Sequence, residues 1–93
     1  MYKIVVHKEV AKKLKTGTVK KAYLNKFALL LETLKANIIP WRDFDLKKIE
    51  GVEDIYRVRI GVYRIIYFIE KEKERIHILK FERRDKVYKR RGS

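Results

Sequence analysis

Residues 55–67 read Ile55-Tyr56-Arg57-Val58-Arg59-Ile60-Gly61-Val62-Tyr63-Arg64-Ile65-Ile66-Tyr67. Apolar and aromatic residues alternate with arginine, and alternation with period two marks half-buried strands. Gly61-Val62 interrupts the pattern; a two-residue loop with glycine first suits a type II′ hairpin. That turn sets Ile60 opposite Tyr63, Arg59 opposite Arg64, Val58 opposite Ile65 and Arg57 opposite Ile66. Successive side chains point to opposite faces. Tyr56, Val58, Ile60, Tyr63, Ile65 and Tyr67 therefore share a face that reads as core, and Arg57, Arg59 and Arg64 share the other. Directly opposed like charges destabilise a sheet, by roughly a few tenths of a kcal/mol or more. Two readings follow. The arginines form an anion site, since a guanidinium fork grips phosphate and keeps its charge. Alternatively, Asp or Glu from elsewhere pairs them, or they point into water.

Downstream, the second strand runs over 63–70, an exposed charged turn over 70–74 (EKEKE), and a third strand over 75–81. Upstream, residues 2–6 (YKIVV) read as a strand with Tyr2, Ile4 and Val6 on one face. Residues 8–15 read as a short helix with Val10 and Leu14 at i, i+4. Gly17 suits that helix's C-terminus and Thr18 the N-cap of the next. Residues 19–35 are the clearest helix, with Val19, Ala22, Tyr23, Phe27, Leu30, Leu31 and Leu34 forming a wide apolar stripe. Residues 37–45 are irregular around the only proline, Pro40, with Trp41 and Phe44 expected to anchor them to the core. Residues 46–51 lead into the hairpin. The expected class is α+β: an N-terminal strand, a helical hairpin, then a three-stranded antiparallel meander, forming one sheet with the helices on one face. The opposite face of such a sheet can stay open to solvent or ligand. With no repeat or second composition regime, the chain is expected to be one domain, 1–93, ending in a basic tail, 83–93.

The chain has 25 Lys and Arg against 12 Asp and Glu, a formal charge of +13 on 93 residues. Such a field suggests a polyanionic partner; the plainer reading is a solvated, Lys-rich surface. The absence of cysteine excludes disulfides, cysteine-based zinc sites and thiol catalysis. His7 and His77 are too few for a His-rich metal cluster and read as ordinary strand or strand-end residues, so neither metal nor cofactor is expected. No apolar run approaches the ~20 residues of a membrane span, and no signal-peptide pattern follows Met1; the expected compartment is the cytoplasm. Glutamine is absent and only Asn25 and Asn37 carry side-chain amides, while Lys, Glu, Arg and Ile are abundant, a pattern of thermophile proteins. The tail segment 83–91 holds six cations and one Asp. Arg83, Lys86, Lys89, Arg90 and Arg91 are candidate RNA contacts. Tyr88 lies among them, and interleaved basic and aromatic residues suit RNA; Tyr88 equally suits an anchor for the tail.

Three segments together resemble the RelE/ParE toxin superfamily. Residues 55–60 resemble its "Y-basic-x-basic" strand, and 61–67 its "G-x-YR-hydrophobic-x-Y" strand. Residues 81–88 (FERRDKVY) are similar to its "R-x-x-VY" ending. The order strand, helical hairpin, three strands is also the family's, and the resemblance covers essentially the whole chain. It implies the toxin of a type II toxin–antitoxin pair, with an acidic RelB-like antitoxin as partner. RelE-type members are ribosome-dependent endoribonucleases that cut mRNA in the A site. ParE-type members share the fold and poison DNA gyrase. The basic residues of RelE-type members correspond to Arg57, Arg59 and Arg64, with a C-terminal clamp at Arg84, or at Arg83, and a tyrosine at Tyr88. ParE-type members generally lack this full set, which favours RNA cleavage; a gyrase poison or a non-catalytic RNA binder is the alternative. Glu82-Arg83 stands where many relatives carry Gly-His, and Arg57 and Arg59 stand where some carry Lys.

Cleavage of that kind needs no metal: the RNA's own 2′-OH attacks the adjacent phosphorus. Arg57, Arg59 and Arg64 would hold the phosphate and its transition state, and Arg84 would clamp it or protonate the leaving oxygen. Tyr88 would stack on a base or help deprotonate the hydroxyl. Arginine, with a pKa above about 12, is poorly suited to act as base.

Overall fold

A computed structural model describes residues 1–83. The expected Arg84, Lys86, Tyr88, Lys89, Arg90 and Arg91 lie outside the described residues. Seven elements follow in the order β1 (Lys3–Val6), α1 (Lys8–Lys15), α2 (Lys21–Ala36), β2 (Asp45–Lys48), β3 (Ile55–Ile60), β4 (Tyr63–Glu70) and β5 (Arg75–Arg83). They build one five-stranded sheet of order β1-β5-β4-β3-β2. β1 runs parallel to β5, and every other pairing is antiparallel. The α+β architecture is as expected, with one strand more: residues 45–48 form β2 on the edge of the meander instead of a plain lead-in.

The β3–β4 hairpin has the register its turn dictates, Ile60 to Tyr63 through Arg57 to Ile66. Gly61 has φ +59°, and a Cβ there would lie 2.2 Å from Cε1 of Tyr23. The turn therefore needs glycine twice over, for backbone conformation and for room under the α2 tyrosine. Phe27, Leu30 and Leu34 of α2 and Val10 of α1 close over Val58, Ile60, Tyr63, Ile65, Tyr67 and Ile69 of the hairpin and Ile76, Ile78 and Phe81 of β5. Leu30, Leu34, Val58, Ile65 and Tyr67 are sealed from solvent; full burial of such an aliphatic side chain is worth about 1.5–3 kcal/mol. Tyr67 keeps its polar tip satisfied by donating to the Ile38 carbonyl at 2.8 Å. Its burial, reinforced by nearby Tyr56, pushes the phenol pKa up, so this tyrosine is a structural prop.

Three local expectations change. α2 begins at Lys21, with Lys20 as N-cap and no side-chain cap bond. Thr18 instead meets the Thr16 hydroxyl at 2.9 Å, and Val19 is buried in the connection, outside the helix. Phe44 anchors the loop after α2, but Trp41 is 63% exposed and lies under the Arg42 guanidinium, 5.0 Å from its ring centroid. Finally, β5 continues past Phe81 to Arg83, because Glu82 and Arg83 pair with Arg64 and Tyr63.

β5 carries an irregularity that decides which of its side chains reach the open face. Ile66 pairs with Lys80 but Tyr67 pairs with Ile78, leaving Leu79 as an extra residue. A β-bulge of this kind shifts the alternation by one residue. Ile76 and Ile78 point inward before it and Phe81 points inward after it. Lys80 and Glu82 are thereby turned onto the helix-free face.

Candidate functional site

The helix-free face is organised in cross-strand rows. The row nearest the β3–β4 turn reads Asp45, Arg59, Arg64, Glu82, and the next reads Lys47, Arg57, Ile66, Lys80. Arg57, Arg59 and Arg64 are thus brought together on one open face, and the rows place five cations against two carboxylates.

The first row explains how Arg59 and Arg64 tolerate direct opposition: each is flanked by an acid on its outer side. Arg64 donates from Nη2 to Oε1 of Glu82. Arg57 lies with Nη2 3.7 Å from Oδ1 of Asp45, and its side chain is only 14% exposed. Arg59 is exposed and forms no ion pair among the described residues. Acids from neighbouring strands therefore do meet two of the three arginines, as the plainer reading required, yet the face keeps an excess of positive charge. Arg64 Nε is also buried without a hydrogen-bond partner among the described residues. A buried donor left unmatched costs about 1–3 kcal/mol. An arriving anion that reached it would remove that cost.

Arg83 does not join this face. It stands opposite Tyr63, with its guanidinium 5.9 Å from that ring's centroid, at the core-side edge of the sheet.

The far end of the same face holds a cluster that the sequence did not disclose. Phe68 pairs with His77 across β4 and β5, and Glu70 with Arg75. Glu70 Oε1 accepts from Arg75 Nε at 2.9 Å and meets His77 Nε2 at 3.0 Å. His77 Nδ1 lies 3.3 Å from His7 Nε2, and the two rings stand edge to face. Arg75 and His77 hold the Glu70 carboxyl down to about 2 by hydrogen bonding, against some opposing desolvation. The two histidines read as ordinary residues because 70 positions separate them in the chain. Only the parallel β1–β5 pairing, Val5 beside His77, brings His7 to its partner. Among the described residues no group of His, Asp and Glu is arranged to hold a metal ion, and no helix is long and apolar enough to cross a membrane.

Comparison with known proteins agrees with this geometry. The family model described as "ParE toxin of type II toxin-antitoxin system, parDE" matches residues 4–88. A protein of Methanocaldococcus jannaschii named "Putative toxin RelE1" is 41% identical over 88 residues, covering 95% of this chain and 96% of that protein. The toxin in the crystal structure of the archaeal RelE–RelB complex from Pyrococcus horikoshii OT3 superposes with a TM-score of 0.79 at 35% identity. That match covers 89% of this chain and 94% of the other. In fold alone, the RelB–RelE complex from Methanococcus jannaschii matches with a TM-score of 0.73 at 24% identity, over 92% and 96% of the two chains. Matched over nearly its whole length in sequence and in fold, the chain is a member of the RelE/ParE family of type II toxin–antitoxin toxins.

Proposed function

We propose that this toxin is a ribosome-dependent endoribonuclease that cuts mRNA in the A site by in-line attack of the 2′-OH on the adjacent phosphate. The observation that carries the reading is the row of opposed arginines on the helix-free face, a face whose positive charge exceeds that of its two flanking acids and suits a phosphorane-like transition state. Arg57, Arg59 and Arg64 neutralise the developing charge; a preorganised donor of this kind is worth about 10²–10³ in rate. Positioning of the hydroxyl supplies more. Arg84 as a further clamp and Tyr88 as stacking platform or proton acceptor complete the proposed constellation. Arg83, Lys86, Lys89, Arg90 and Arg91 are proposed to bind the RNA backbone, and no metal or cofactor enters the chemistry.

The same reading supplies a partner. Relatives crystallise as RelE–RelB complexes, and a +13 surface suits an acidic RelB-like antitoxin that folds on the toxin. Its carboxylates would meet the arginine face, and cells would hold both proteins in the cytoplasm.

The family model's description favours a second reading, a gyrase poison. In vitro translation with primer extension on the mRNA, beside a supercoiling assay, separates the two. Discrete A-site cuts with gyrase unaffected support the nuclease. Blocked supercoiling with intact mRNA overturns it.

A further inference from the structure

The hairpin arginines can bind and neutralise, but none can accept a proton from the attacking hydroxyl. The arginine face nevertheless contains a base. Glu82 lies directly opposite Arg64, turned onto that face by the bulge at Leu79. Its side chain is 37% exposed. One carboxylate oxygen, Oε1, accepts from Arg64 Nη2. No hydrogen bond to Oε2 is formed among the described residues.

We propose that Glu82 is the general base of this toxin, taking the proton of the attacking 2′-OH; the proposal rests on the nuclease reading above. Arg64 then serves two anions at once. It fixes the carboxylate from one side and binds the scissile phosphate from the other, which sets the base beside the hydroxyl adjoining that phosphate. The 2′-O–H proton passes to a Glu82 oxygen as the O2′–P bond forms and the P–O5′ bond breaks. The products are a 2′,3′-cyclic phosphate and a 5′-hydroxyl. The departing 5′-oxygen takes a proton from solvent, and Glu82 returns its own to solvent, so the step balances without a further reactant.

Asp45 is the internal control. It occupies the other end of the same row, opposite Arg59, but is 61% exposed on the edge strand and comes no closer than 3.7 Å to Arg57 Nη2. A role of mere charge balance would be shared by both acids; a role in proton transfer belongs to Glu82.

The experiment uses the full chain on ribosomes programmed with a defined mRNA. Single-turnover cleavage is followed against pH for wild type, Glu82→Gln and Asp45→Asn. Binding is measured with an mRNA carrying a 2′-deoxy sugar at the cut site, which cannot be cleaved. Glutamine keeps the shape and an acceptor for Arg64. General bases contribute about 10²–10⁴-fold, so Glu82→Gln should lose at least ~10²-fold in cleavage. It should also lose the acid limb of the pH profile and bind the deoxy mRNA as tightly as wild type or tighter. Asp45→Asn should keep cleavage within a few-fold.

Three results overturn the proposal. They are wild-type cleavage by Glu82→Gln, equal loss in both variants, and loss of deoxy-mRNA binding along with cleavage in Glu82→Gln, which marks Glu82 as structural. A wild-type protein that cuts nothing overturns the nuclease reading itself, a result distinct from all three.

Discussion

The helix-free face carries two polar clusters built from similar residues and left in different states. At the turn end, Arg57, Arg59, Arg64, Lys47 and Lys80 outnumber Asp45 and Glu82, and Arg64 keeps an unmatched buried donor among the described residues. At the far end, Arg75, Glu70, His77 and His7 form a continuous chain of contacts at 2.9, 3.0 and 3.3 Å. There a single carboxylate serves both an arginine and a histidine. A polar network whose members satisfy one another rigidifies a fold; one with surplus charge and an unmatched donor is poised for a ligand. The difference assigns the far end to holding β1 against β5 and the turn end to binding an anion.

The largest expected effect separates the two ends by mutation. Arg64→Ala should lower mRNA cleavage by at least ~10²-fold. Its melting free energy should move by no more than about 1 kcal/mol, the usual worth of a solvent-accessible ion pair. His77→Ala should do the reverse, leaving cleavage within a few-fold while lowering stability by roughly 1.5–3 kcal/mol, the scale of hydrogen bonds to charged groups. Parallel primer extension and thermal melts read both. Equal loss of activity in the two variants would abolish the distinction between the clusters.

Salt gives a smaller contrast. Each phosphate contact releases counterions, so binding should weaken along a straight line in log salt, with a slope of about −0.7 per contact for single strands. Removing Arg59, which is exposed and forms no ion pair among the described residues, should flatten that slope, and removing Arg75 should leave it unchanged. Titrations of ribosome-free mRNA at several salt concentrations measure this. Identical slopes would make the charge a solubility device.

The smallest effect is in pH. The Glu70 carboxyl is held at about 2, below its ordinary 4.5. A depressed folded-state value means the ionised form stabilises the fold. That contribution is complete above pH 4.5, fades as pH falls, and is lost as pH passes through about 2. Acid titration of the melting temperature should therefore show a component between these values that is missing in Glu70→Gln. A variant that titrates like wild type would remove Glu70 from the far-end network.

Much of this molecule was legible along the chain because local chemistry decides it. Gly61-Val62 between two alternating segments fixed the turn, the turn fixed the register, and the register placed Arg57, Arg59 and Arg64 together on one face. The α2 stripe similarly marked Phe27, Leu30 and Leu34 for the core. Candidates at Arg84 and Tyr88 rest on the sequence motif alone.

Tertiary structure decided what depends on pairing partners distant in sequence. Residues 45–48 are too short and polar to announce a strand, and become one only because the β3 edge offers hydrogen bonds. His7 and His77 meet only through the parallel β1–β5 pairing. Most consequentially, simple alternation from the buried Ile76 and Ile78 would turn Glu82 inward and Phe81 outward. The core needs the Phe81 ring against Phe27 and Tyr63, and a charged carboxylate in its place would be far too costly to bury. The bulge at Leu79 resolves that conflict. The packing demand of one phenylalanine, invisible in any local pattern, thus sets the carboxylate beside Arg64.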